Sequence, residues 1–81
     1  MKNLIKVERA RYNLSQQDLA DILGIRRQTV CAMEKGKYVP SARWVLKIAK
    51  LFNVRVEDIF FLDKSDLESL DGHYERLHPQ P

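Results

Sequence analysis

Arg27 and Gln28 open a segment in which polar and apolar side chains separate. At helical spacing, Val30, Met33 and Glu34 fall on one side of residues 27–35, while Arg27, Gln28, Cys31 and Ala32 fall mostly on the other. Guanidinium and amide groups set outward in this way donate hydrogen bonds to an anionic or polar surface. They sit in a strongly basic stretch: residues 1–56 hold 12 Lys/Arg against 4 Asp/Glu. Residues 57–81 reverse the sign, with 2 against 7. A body charged like this suits a polyanion such as nucleic acid.

Bond-making chemistry is not expected. The chain has no Ser/His/Asp grouping, no glycine-rich phosphate loop and no pair of carboxylates on a rigid scaffold, so it does not read as an enzyme. His73 and His78 stand apart from other plausible ligands, and no metal or other cofactor is expected. Cys31 is the single cysteine, which precludes an intrachain disulfide and a cysteine zinc site. It reads as a small neutral filler rather than a redox thiol. No apolar run approaches the ~20 residues of a membrane span, and the first residues lack a signal peptide's apolar core. A cytoplasmic protein without membrane association is the expectation.

The elements that must position Arg27 and Gln28 are helical. A first helix is predicted over residues 3–12, capped by Asn3, with Ile5, Glu8, Arg9 and Tyr12 on one face and Leu4, Val7 and Arg11 on a second stripe. Ser15 is a good N-cap for a second helix over 16–23, with Asp18 near its positive end. Leu19, Ala20 and Leu23 make its inner face, and Gly24 suits a left-handed C-cap. A third helix follows over 27–35 and ends at Gly36. Ser41 caps a fourth that runs to Phe52, with Trp44, Val45, Ile48, Ala49 and Phe52 inside. A short fifth helix spans about 56–61. No run alternates strongly enough to argue for a β-sheet. The few residues around Gly24 force a sharp crossing of the second and third helices, with small Ala20 at the approach. That crossing leaves the polar side of the third helix outward, ready for a groove.

The run from Ser15 to Val30, SQQDLADILGIRRQTV, resembles the helix-turn-helix of the Cro and phage-repressor type, the XRE-like family. The likeness continues through residues 33–41, 46–52 and 56–60 and covers residues 3 to about 62. It implies an all-α, compact five-helix lambda-repressor-like DNA-binding domain over 1–62. Residues 63–81 lie outside the likeness; their composition reads as a polar, acidic and weakly ordered tail with one weak turn near 65–70. The likeness also implies site roles. Arg27 and Gln28 would reach base edges, and their chemistry agrees: Arg bridges guanine O6 and N7, and Gln pairs with adenine N6 and N7. Thr29 would meet phosphate or a thymine methyl, and Ala32 a thymine methyl. Gln16 would bind a phosphate at a helix N-terminus. Lys35, Lys37, Tyr38 and Arg43 would contact the sugar-phosphate backbone. Arg9 and Glu34 match positions that form an internal ion pair.

One departure stands out. The family usually carries Ser or Thr where this chain has Arg26, which costs a good N-cap, about 1 kcal/mol; Arg26 would either reach a phosphate instead or stand simply exposed. The run Ile59-Phe60-Phe61-Leu62 is too apolar for a free surface. Part of it must close the core, and the rest, with Leu4 and Val7, would form an isologous dimer interface. The expected function is a sequence-specific transcription regulator, a repressor, binding a pseudo-palindromic operator in double-stranded DNA as a homodimer. The alternative is an antitoxin that also autoregulates by DNA binding, with the tail engaging a protein partner.

Overall fold

The computed structural model describes residues 1–79; residues 80 and 81, the end of the expected tail, lie outside the described residues. In chain order the elements are β1 (Lys2–Asn3), α1 (Ile5–Arg11), α2 (Gln16–Leu23), α3 (Arg27–Glu34), α4 (Ala42–Phe52), α5 (Val56–Ile59), β2 (Phe60–Phe61), α6 (Lys64–Leu67), a 3-10 turn (Glu68–Leu70) and α7 (Tyr74–Leu77). The chain is mostly helical. The five-helix expectation falls short, because α6 and α7 follow where a single turn was expected.

The expectation of no sheet is also corrected. β1 pairs antiparallel with β2, Lys2 opposite Phe61 and Asn3 opposite Phe60. Two-residue strands are too short to show alternation in the sequence. The pairing is made by the fold, with the Leu4 N–H donating to the Ile59 carbonyl at 2.8 Å just inside it. Asn3 therefore lies in a strand, and Leu4 is the N-cap of α1. Asn3 still serves the helix start, since its Oδ1 accepts from the Ile5 N–H at 3.2 Å.

The first four helices stop in the same way. The chain turns through a left-handed residue at Asn13, Gly24, Gly36 and Asn53. The next N–H then returns to a carbonyl five residues back: Leu14 to Arg9, Ile25 to Ala20, Lys37 to Ala32 and Val54 to Ala49, each at 2.9–3.0 Å. This closure satisfies carbonyls that a helix end would otherwise leave unpaired. Leu14, Ile25 and Val54, the residues just past three of these turns, pack against the core. α2 starts on a capping box: Ser15 Oγ accepts from the Asp18 N–H, and Asp18 Oδ2 accepts from the Ser15 N–H, both at 2.9 Å. Ser41 holds the N-cap position of α4, but its side chain makes no capping bond.

The core is built by Ile5, Leu19, Ala20, Val30, Met33, Ile48, Ala49, Phe52, Ile59 and Phe60, so every helix from α1 to α5 contributes. Tyr12 closes one edge, its hydroxyl donating to the Phe52 carbonyl at 3.1 Å with the two rings 5.7 Å apart. Trp44 departs from its expected place in the core. It is half-buried outside the cluster, with Lys47 Nζ 4.8 Å from its ring centre. The Lys47 ammonium makes a cation–π contact with the indole. Beyond β2, α6 opens with a second capping box between Asp63 and Asp66. The side chains described from Lys64 onward are exposed.

Candidate nucleic-acid interface

The site is assembled around α3, and its two sides are set by different forces. Val30 and Met33 are fully buried and fix the helix against the core. Arg27 and Gln28, one turn earlier and rotated away, are exposed. Thr29, Cys31 and Ala32 are half-buried at the edges of the outward face. Arg26 precedes the helix in an extended conformation, φ −76° and ψ 148°, and its side chain caps nothing. The charge follows this geometry. Arg26, Arg27, Lys35, Lys37 and Arg43 are all exposed, and none is in a salt bridge among the described residues. Unpaired cations on and beside one helix suit a phosphate-rich ligand.

The single acid of α3 is turned inward. Glu34 receives Arg9 Nε at 2.7 Å and Arg9 Nη2 at 3.2 Å, a forked pair with side chains 13% and 7% exposed. The Glu34 carboxylate raises the Arg9 pKa above its already high value, through the hydrogen bond first and charge attraction second. Arg9 Nη1 donates to the Leu14 carbonyl at 2.8 Å, immediately before the α2 cap. One guanidinium thus ties α1 to both helices of the turn.

Gln16 sits at the first position of α2, but its amide is already engaged, donating to Glu34 Oε1 at 3.2 Å. Glu34 therefore gathers Arg9 and Gln16 on one carboxylate. Lys37 and Tyr38 leave α3 through the Gly36 turn. The Tyr38 ring is exposed, and its N–H returns to the Ala32 carbonyl at 3.3 Å. Pro40 is buried and anchors the far end of this loop.

Asn3 is a positioning residue that sequence reasoning missed. Its Nδ2 donates to the Met33 carbonyl at 2.7 Å, so the amino-terminal strand holds the last turn of α3. The nearby spacing offered only a capping role, because the bond spans thirty residues of sequence. The expected interface run divides in two. Ile59 and Phe60 lie in the core of the single chain, which removes them from any docking surface; Phe61 and Leu62 are 38% and 61% exposed. Leu4 and Val7 are exposed as well. No helix among the described residues is long and apolar enough to cross a membrane.

Comparison with known proteins agrees with this geometry. The helix-turn-helix family model matches residues 5–59, which takes in α1 to α5. An uncharacterized HTH-type transcriptional regulator of Methanocaldococcus jannaschii is 53% identical over 82% of this chain and 100% of its own length. An uncharacterized HTH-type transcriptional regulator of Bacillus subtilis is 48% identical, again over 82% of this chain and all of its own. A 10 kDa protein of the ImmF control region of Bacillus phage phi105 is 32% identical over 90% of this chain and 79% of its own. With the turn at Gly24, the buried Val30 and Met33 and the outward Arg27 and Gln28 in place, the chain belongs to the XRE-type helix-turn-helix family of DNA-binding transcription regulators.

Proposed function

We propose that the protein is a sequence-specific repressor that reads the DNA major groove with α3 as a homodimer. The observation that carries this reading is the exposure of Arg27 and Gln28 on the first turn of α3, among five cations without acidic partners in the described residues. Arg27 and Gln28 contact base edges, with Thr29 and Ala32 beside them. Arg26, Lys35, Lys37, Tyr38 and Arg43 hold the sugar-phosphate backbone. Gln16 joins them with the amide hydrogen that Glu34 does not take, together with the open N–H groups of α2. Two copies are needed because one module makes few base contacts, and a two-fold pair sets its recognition helices ~34 Å apart. Phe61 and Leu62, with Leu4 and Val7, are exposed apolar side chains that would serve that pairing. A bound dimer on a promoter blocks polymerase, and one relative carries the name of a phage control region.

Selection from random duplexes tests the reading. Two inverted half-sites about one helical turn apart are expected. A selected pool without sequence preference would overturn it.

A further inference from the structure

The segment after β2 carries apolar side chains that the body does not use. Leu67, Leu70, Tyr74 and Leu77 are spaced three, four and three residues apart, and all four are exposed. Leu67, Leu70 and Tyr74 line an open groove whose remaining wall is Asp71, Gly72 and Glu75. Apolar and acidic side chains thus line the same groove. Asp71, Glu75 and the adjoining Glu68 have no cationic partner among the described residues.

A surface of opposite character lies on α4. Leu46 is 61% exposed and Leu51 is exposed beside it. Lys47 and Lys50 flank them at helical spacing, without acidic partners among the described residues, and α4 contains no acid. Helix geometry places 46, 47, 50 and 51 on one face. Among the described residues the leucines of both surfaces stay exposed and Lys50 has no acidic partner, while Lys47 reaches only the Trp44 ring. The described residues extend 48 Å in one direction against 23 and 19 Å in the others, and the tail elements share no extensive packing with the body.

We propose that the tail groove of one copy seats the outer face of α4 of a second copy, Leu46 entering between Leu67, Leu70 and Tyr74 while Lys47 and Lys50 meet Asp71 and Glu75. The contact rests on the homodimer reading and adds a second, reciprocal attachment to it. Apolar burial supplies the attraction, and the charged rim sets the register and rejects wrong partners.

Mixed-label spectroscopy on the full chain tests this contact. One copy carries a nitroxide at Arg76→Cys in a Cys31→Ala background; the other is isotope-labelled and spin-free. Where sedimentation shows a dimer, the amides of Leu46 and Lys50 in the spin-free copy should broaden. Leu70→Asp should abolish the broadening and raise the dimer dissociation constant by about tenfold or more. Lys47→Glu/Lys50→Glu should do the same and be rescued by Asp71→Lys/Glu75→Lys in the other copy. A dimer that forms without the broadening overturns the tail contact and leaves the dimer reading standing. A chain that stays monomeric overturns both. In a second sample the nitroxide-bearing chain is itself isotope-labelled and diluted with excess unlabelled spin-free chain; broadening of Leu46 and Lys50 there, with none in the spin-free copy of the first sample, would assign the groove to its own body and equally overturn the proposal.

Discussion

Arg9 Nε lies 2.7 Å from Glu34 Oε2, and this pair joins the first helix to the one that carries the candidate base-reading residues. Each partner is largely removed from solvent, so neither is satisfied by water if the other is lost. Arg9→Met or Glu34→Leu should each lower unfolding free energy by about 3 kcal/mol, the lower end of the range for breaking a buried pair in so thin a domain. The double variant should recover part of that loss, because no lone charge remains buried. Denaturant titration of the four proteins reads the coupling; additive losses would show that the pair acts as two separate surface charges.

Arg27 and Lys37 should fail differently on DNA. Arg27→Ala should lose about 1–3 kcal/mol at one base pair of each half-site and relax the preference there. Lys37→Ala should weaken all sequences alike and reduce the salt slope by about one. Affinities measured across single-base operator variants at several salt concentrations separate the two. Uniform weakening by Arg27→Ala would remove its base-reading role.

Neighbouring residues of one apolar run should likewise part ways. Ile59→Ala empties space in the core and should cost about 3 kcal/mol of stability. Leu62→Asp changes an exposed side chain and should leave thermal unfolding of the monomer nearly unchanged while weakening self-association. Sedimentation and calorimetry on both variants check this; intact dimers of Leu62→Asp would place the interface elsewhere.

Acid should destabilise the protein through two helix caps and the Arg55–Asp58 ion pair. The Asp18 carboxyl is held below the usual carboxylate range, first by the Ser15 backbone N–H and then by the Ser15 hydroxyl. Asp63 is lowered by Ser65, the Asp66 N–H and the terminal ammonium, and Asp58 by Arg55. Their folded pKa values lie below the unfolded value of about 3.9, so the unfolded chain takes up protons first. This stabilisation is complete above about pH 5 and disappears as pH falls through the folded values. The melting temperature should therefore drop steadily below about pH 4, and less steeply in Asp18→Asn. Ser15→Ala should cost about 1 kcal/mol near neutral pH. Equal acid sensitivity of wild type and Asp18→Asn would exclude the α2 cap as a contributor.

The helices of the turn were legible from residue order alone, because what starts and stops them is local. Ser15 and Asp18 close their box across three residues, and Gly24 and Gly36 reverse the chain through backbone freedom that needs no distant partner. The split between Val30 and Met33 inside and Arg27 and Gln28 outside follows from 3.6 residues per turn. Tertiary structure alone decided where Asn3, Gln16, Trp44 and Phe60 went. Asn3 holds a carbonyl thirty positions away, Gln16 spends its amide on Glu34, Trp44 lies against Lys47 rather than in the core, and Phe60 turns inward next to exposed Phe61. Those outcomes depend on which surfaces meet once the helices pack, and contacts between residues distant in the chain leave no periodic trace along it.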